Sequence, residues 1–392
     1  MGELRQLYNL CSQDFIESEC GVYIKKPKII GVVENDGVNV KNVETMKYFK
    51  QPKREKFPLD LNMGLDSYIH RSADYYELKL TKVVRFIMNN ELNEPNANEL
   101  ENGASSVPDR ASASDVSDAT PVSELACADE PIYNKIQEVI THRGVLSVLM
   151  KTPIRRSAEK WTIFATQYNG KLYLANKKKK DEDRDTPKST HHFKFAQYCF
   201  TTDPNREPDT TIPIHEEEQL YAIFKTQLDN LTIVYSAEID GIVSKKKLEN
   251  LKDIEALQQC PIVCTKLMKD RVRNWTKNYR ILGWWIKCYL AAVVDMYVGF
   301  KTYDGCVRQP LAYVTVNQLP KDQTWSPKVC NTFVHTFITK VIEEMSGVNN
   351  LYTCYEFNFS PLNNCISYRI HEGQTEYSFL PEDFVEYLRR GS

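Results

Sequence analysis

The sequence has no CxxC pair, no uninterrupted run of about 20 apolar residues, no glycine-rich phosphate loop and almost no net charge. Each absence excludes something. Eleven cysteines lie singly along 392 residues, and the nearest two, Cys260 and Cys264, have no second pair to complete a zinc site. Reduced thiols of a nuclear or cytosolic protein are therefore expected, not a disulfide framework. The apolar stretch from Trp284 to Val294 is broken by Lys287, so no membrane span is expected. The opening MGELRQLYNLCSQDF has neither the basic start nor the apolar centre of a secretory leader, and it lacks the serine or threonine of a myristoylation signal. A formal charge of −2 does not mark the whole chain as a nucleic-acid binder, so any basic groove has to be local.

What is present describes a folded chain with two polar interruptions. Hydrophobic residues make up 42% of the sequence, far above the disorder range, so most of it should bury a core. Residues 89–130 are the exception. They are acidic, rich in Ser, Ala and Asn, and contain no aromatic, and they read as a disordered insertion between an N-terminal part, 1–88, and a main part, 131–392. The run Lys177 to Lys188 reads as a solvated loop. Before it, WTIFATQYNGKLYL from Trp161 carries an Asn169-Gly170 hairpin turn between β-rich runs. Helical periodicity is expected at Tyr75–Met88, Ile132–Met150, Glu216–Leu228, Val272–Leu290 and Ser326–Met345, the last with Ser326 as N-cap and Pro327 behind it. Strands are expected at Leu231–Asp240, Pro261–Leu267, Ala292–Tyr303, Leu311–Asn317, Leu351–Phe359 and Cys365–His371.

The informative spot is Ser236-Ala237-Glu238-Ile239-Asp240, which ends an apolar strand. Alternation sends Glu238 and Asp240 to one face, where two carboxylates are costly unless paired or holding a cation. A second strand, Ile262 to Lys266, follows about twenty-five residues later and carries a lysine. Metal nucleases use this layout: acids hold Mg²⁺ or Mn²⁺ and the lysine positions the attacking water. An E-x-D alone is a weak signal, and the neighbouring lysine strand strengthens it.

A set of short motifs then agrees in order and spacing with the decapping-exoribonuclease (DXO/Rai1) family. The segment from Thr141, THRGVLSVLMKTPIRRSAEKWTIFATQYNGKLYL, resembles the family's arginine segment, and KFAQY at 194–198 resembles its next motif. AEIDG at 237–241 resembles the Glu-x-Asp motif, IVCTK at 262–266 the Glu-x-Lys motif, and WWIK at 284–287 the Trp-Trp helix. VGFKTYDG at 298–305 and SFLP at 378–381 are further landmarks, and the resemblance runs from about Leu59 to Tyr387. It implies metal-dependent removal of faulty 5′ RNA ends, followed in some members by 5′→3′ degradation. By the same resemblance Arg143 matches the RNA-contacting arginine, Glu238 and Asp240 match metal ligands, and Lys266 matches the active-site lysine.

Three positions depart from the pattern: Ala196 and Cys264 stand where metal-binding glutamates are expected, and Lys287 stands in place of a glutamine. The family's inner site, four carboxylates and one lysine, carries −3. Glu238, Asp240, Lys266 and Lys287 together carry 0. Hard divalent ions need dense oxygen ligands and thiolates prefer softer metals, so metal chemistry is expected to be lost and no cofactor is expected. Two readings of Lys287 stay open: it stands in for the missing cation by pairing with Glu238 or Asp240, leaving Arg143, Lys266 and Lys287 to meet an RNA phosphate, or these are satisfied core charges of a repurposed fold. Cys264 is expected to be an inert buried thiol, Trp284 and Trp285 to be core, and His191, His192 and His215 to be surface residues.

The expected architecture is α+β: two mixed β-sheets flanked by helices in one body, with the cleft above Glu238 and Asp240. Loss of the active-site acids resembles the diverged insect germline branch called Cutoff. That resemblance implies a nuclear, non-catalytic role in piRNA-precursor transcription, in which the protein acts with Rhino and Deadlock-like partners and protects RNA 5′ ends. Two alternatives remain open: an active enzyme using Mg²⁺ or Mn²⁺, and a scaffold that never touches RNA. Association with a separate 5′→3′ exonuclease also stays open.

Overall fold

The computed structural model describes residues 3–9, 21–35, 40–42, 45–70, 80–91, 136–154, 159–176, 187–272, 274–277 and 279–391. Residues 92–135, which hold nearly all of the expected insertion, lie outside the described residues, as do 177–186 of the polar run.

Two mixed sheets form the frame. The larger has ten strands in the order Arg5–Asn9, Cys365–His371, Cys354–Ser360, Trp161–Tyr168, Lys171–Asn176, Glu138–His142, Leu231–Glu238, Gln219–Leu228, Lys28–Asn35 and Val40–Asn42. Its centre is parallel, where Glu138–His142 pairs with Leu231–Glu238 on one side and Lys171–Asn176 on the other. The smaller sheet is built around Ile262–Lys269 and Asp295–Lys301, a parallel pair, with Gly241–Ile242 antiparallel to the first. Seven α-helices are found among the described residues.

The helices flank the sheets and also fill the space between them. Arg143–Lys151, Arg280–Tyr289 and Pro327–Glu344 pack together in the main core with the inner faces of both sheets, for example Ile233, Tyr235 and Ala237 of the larger and Ile262, Cys264 and Met268 of the smaller. Thr81–Glu91 and Glu382–Arg390 cover the outer face of the larger sheet through Val83, Val84 and Phe384. Pro187–Cys199 covers the outer face of the smaller sheet through Phe195 and Cys199.

Several local expectations hold. Asn169 and Gly170 both have positive φ, 46° and 67°, which a two-residue type I′ hairpin requires. Ser326 accepts a hydrogen bond from the Lys328 N–H at 3.2 Å and caps the helix Pro327–Glu344. Cys365–His371 is a strand as read, and helix Thr81–Glu91 contains the described part of the first helical pattern.

Other expectations do not hold, for physical reasons. Glu216–Leu228 is not helical: Gln219–Leu228 is a strand whose Leu220, Ala222, Phe224, Thr226 and Leu228 are buried with a period of two. The pattern from Ile132 splits into a buried parallel strand, Glu138–His142, and a helix, Arg143–Lys151. A fully buried strand is apolar on both faces and so has no alternation to separate it from a helix. Among the described residues of Val272–Leu290, the helical parts are the turn Trp275–Lys277 and the helix Arg280–Tyr289. The helix Pro187–Cys199 absorbs the end of the polar run and buries His191, whose Nδ1 lies 2.9 Å from the Lys301 amine, so His191 is not a surface residue.

The chain crosses from the larger sheet to the smaller between Glu238 and Gly241. A Cβ on Gly241 would meet the Lys47 carbonyl oxygen at 2.4 Å and the Phe200 ring at 2.7 Å. Gly241→Ala is therefore expected to destabilise the protein by roughly 1–3 kcal/mol, read as a lower denaturant midpoint. An unchanged midpoint would show that the crossing is looser than described.

Candidate active-site cleft

The cleft is built where the two sheets approach, by four short stretches. Parallel pairing sets His142 beside Ser236, so the residue that starts the next helix, Arg143, lies near the end of the acid strand. His142 caps that helix by accepting the Gly144 N–H through Nδ1. The Arg143 guanidinium donates to the Glu238 carbonyl oxygen at 2.6 Å and lies 3.7 Å from the Glu238 carboxylate. Tyr235, on the same strand, donates its hydroxyl to the Leu290 carbonyl at 2.7 Å and ties the strand to the end of the Trp-Trp helix.

Asp240 belongs to the crossing between sheets. Its Oδ2 accepts the Thr265 N–H at 2.7 Å and the Thr265 hydroxyl at 3.1 Å. Burial raises its pKa, but the Lys266 charge and the Thr265 hydrogen bonds outweigh this and hold it below the usual carboxylate value. Burial pulls Lys266 down in turn, and the acidic groups around it, Cys264 and Asp240 first, hold it above the ordinary lysine range. Asp240 and Lys266 are therefore a charged pair at neutral pH.

Cys264 is buried on the face of the lysine strand that meets the main core. Its thiol hydrogen-bonds that of Cys288, and together with burial and the Asp240 charge this pushes it well above the ordinary thiol range. It stays protonated, as expected of an inert thiol, and is a poor nucleophile and a poor ligand. Ala196 lies on the helix Pro187–Cys199, among Val263 and Leu267, which point to the opposite face of the strand from Cys264. That helix does reach the site: burial, and then the Asp240 charge, raise the pKa of Cys199, one turn beyond Ala196.

Lys287 differs from expectation. Among the described residues no carboxylate lies within ion-pair distance of it, because Glu238 is engaged by Arg143 and Asp240 by Thr265 and Lys266. It lies in a recess, surrounded by protein yet open to water. The surrounding protein lowers its pKa to about 8, reinforced by Lys266, Arg143 and Lys151 and opposed by Glu238. Water access tempers the depression without changing its direction. Lys151 was not anticipated, since nothing local in the sequence marks it. It is placed by the Trp-Trp helix, where a Cβ on Gly283 would lie 3.7 Å from its amine. Thr265 and Cys288 were also missed. The first is the unspecified middle residue of its motif, and the second faces Cys264 only through the packing of helix on strand.

Trp285 is core, stacked on Tyr289 and beside Trp325, whereas Trp284 is half-buried against Trp275. His192 is exposed and His215 half-buried, and neither joins the cleft. Among the described residues, no three of His, Cys, Asp and Glu are grouped to hold a metal ion. Of the two carboxylates, Asp240 has its Oδ2 bound to Thr265 and Glu238 has its Oε2 beside Arg143, and both face four cations, Arg143, Lys151, Lys266 and Lys287, so the site does not fit a pair of hard divalent ions.

The model of the RAI1-like PD-(D/E)XK nuclease family matches residues 25–385, nearly the whole described chain. The chain belongs to that family. The chain is similar to the decapping and exoribonuclease protein Rai1 of Drosophila melanogaster, 22% identical over 94% of this chain and 93% of that one. It is similar to protein cutoff of Drosophila melanogaster, 21% identical over 63% of this chain and 65% of that one. The match to Rai1 spans more of the chain, so overall likeness does not single out the cutoff branch. The fold is that of Scheffersomyces stipitis Rai1, crystallised with (3′-NADP)+ and calcium, at TM-score 0.69 and 14% identity, covering 100% of this chain and 98% of that one. Candida albicans Rai1, crystallised with pU5-Mn2+, gives TM-score 0.69 at 11% identity and full coverage of both chains.

The cationic crowding predicts a pH effect. Lys287 has a folded pKa below its unfolded one, so the unfolded chain binds the extra proton between about pH 8 and the ordinary lysine value. Stability carried by this group therefore rises with pH across that window, and below it the charged amine is a net cost. Lys287→Met is expected to raise the denaturant midpoint at pH 7 and to flatten the gain between pH 7 and pH 9. A larger wild-type-like gain in the variant would sink this assignment.

Proposed function

We propose that this chain is a non-catalytic member of the family, whose cleft binds RNA 5′ ends instead of cleaving them. The observation that supports this reading is the crowding of Arg143, Lys151, Lys266 and Lys287 about two carboxylates, of which Asp240 is bound by Thr265 and Glu238 lies beside Arg143. Four cations around a recess open to water suit a phosphate, which Arg143 would meet as a planar fork and Lys151, Lys266 and Lys287 as point charges. Likeness to Candida albicans Rai1, crystallised with pU5-Mn2+, supports an RNA ligand, and likeness to protein cutoff supports the biological setting. In that setting the protein acts in the nucleus of germline cells in piRNA-precursor transcription, with Rhino and Deadlock-like partners, and shields nascent 5′ ends from decay or termination.

The retained Glu238, Asp240 and Lys266 favour one rival, a residual hydrolase using a single divalent ion. Two measurements separate the readings. Calorimetric titration with Mn²⁺ is expected to show no micromolar binding that is lost in Glu238→Ala. Incubation with 5′-triphosphate, NAD-capped and 5′-monophosphate RNA plus Mn²⁺ is expected to leave each intact, and product that disappears in Glu238→Ala would overturn the proposal. Filter binding should show 5′-monophosphate RNA held more tightly than its 5′-hydroxyl counterpart. Arg143→Ala and Lys266→Ala should each erase about tenfold of that preference, the loss expected for one charged hydrogen bond. An unchanged preference in both variants would favour a scaffold that does not read RNA ends.

A further inference from the structure

A net charge of −2 conceals one strongly basic segment. From Lys266 to Lys287, seven lysines and arginines face a single acid, Asp270, so these twenty-two residues carry +6 while the rest of the chain is acidic. The fold brings both ends of this segment to the cleft. The segment leaves the lysine strand, turns at the ends of Ile262–Lys269 and Asp295–Lys301, and returns as the helix Arg280–Tyr289, so its two ends, Lys266 and Lys287, both stand at the inner site. Between them Arg271 and Lys277 are exposed.

Aromatic rings are set among these charges. Tyr279 is 59% exposed at the start of the helix. Trp275 and Trp284 are half-buried, with ring centroids 6.4 Å apart, and Trp275 meets Phe300 edge-on at 5.7 Å, which fixes the pair. Trp284 lies one helical turn before Lys287 and Cys288, so the rings continue outward from the inner site along the same helix face. Cations that track a backbone, interleaved with flat rings that accept any base, are the chemistry of sequence-tolerant single-strand binding. An acidic protein would use the charges and leave the rings idle.

We propose that this segment grips the body of a single-stranded nucleic acid without needing an end, so that the chain binds internal stretches of RNA. This goes beyond recognition of a 5′ end and stands whether or not the inner recess reads that end.

A covalently closed circular oligouridylate separates the two, because it has a single-stranded body and no terminus. Fluorescence anisotropy of the full chain is expected to show salt-dependent binding of the circle. Arg271→Glu with Lys277→Glu should weaken it at least tenfold and lower the logarithmic salt slope by about 1.4, or roughly 0.7 for each phosphate that is no longer neutralised. Tyr279→Ala should weaken it about fivefold, the lower end of a base-stacking contribution. All three residues are exposed, and an unchanged thermal midpoint will confirm that the variants fold. Arg143→Ala should leave affinity for the circle intact while removing only the 5′-phosphate preference of a linear strand. Unchanged affinity for the circle in the charge-reversal variant would overturn the proposal. So would competition by polyglutamate as effective as that by RNA of equal charge. Absence of a 5′-phosphate preference in the unsubstituted chain, with the circle still bound, would count against end recognition and leave this inference standing.

Discussion

The chain passes from one sheet to the other through Ile239 and Asp240, and a buried carboxylate ties that crossing to the lysine strand. Asp240 accepts both the backbone N–H and the hydroxyl of Thr265, and its charge is met by Lys266. A buried carboxylate costs several kcal/mol unless its lone pairs and charge are satisfied. Here both are satisfied from within one strand of the smaller sheet. The same contacts fix that strand's position against the larger sheet, place Lys266 in the cleft, and set Cys264 against Cys288 on the Trp-Trp helix. The pairing of Asp240 is thus a condition for the geometry of everything else in the site.

That pairing explains why Lys287 stays unpaired by a carboxylate. Substituting a cation near two acids suggests a salt bridge if charges are merely counted. The geometry allocates the acids first: Glu238 lies against Arg143, which grows from the neighbouring parallel strand, and Asp240 lies against Thr265 and Lys266. Lys287 then adds to a cluster of like charge, and its pKa is depressed first by the surrounding protein and then by that excess. A cluster of this kind is costly alone and is relieved by an anion, so the recess favours an anion over a further cation.

The sequence made the strands that carry the acids and the lysine legible, because Leu231–Glu238 and Ile262–Lys269 are β-rich apolar runs bounded by turns. It also made the cap at Ser326 and the turn at Asn169-Gly170 legible, since both depend on side chains adjacent in sequence. Gln219–Leu228 and Glu138–His142 were misread because burial in the larger sheet is a tertiary fact: the first has a periodicity interrupted by Ile223, and the second is covered on both faces. Within the site, identities were readable and contacts were not. Lys151, Thr265 and Cys288 enter it only through packing between elements distant in sequence. His191 was misplaced because its neighbour Lys301 is brought beside it by helix-on-sheet packing.

A fold shared at 11–14% identity with solved structures shows how little of this architecture depends on the chemistry it houses. The core between the sheets requires apolar side chains of suitable volume and tolerates many choices, whereas a divalent ion requires particular oxygen atoms at particular places. The two constraints can therefore part. Cys264 is part of the core, and the nearby carboxylates serve the protein's own contacts, Asp240 with Thr265 and Glu238 with Arg143. Function then follows from the few residues at the crossing and along the basic segment, and not from the frame that holds them.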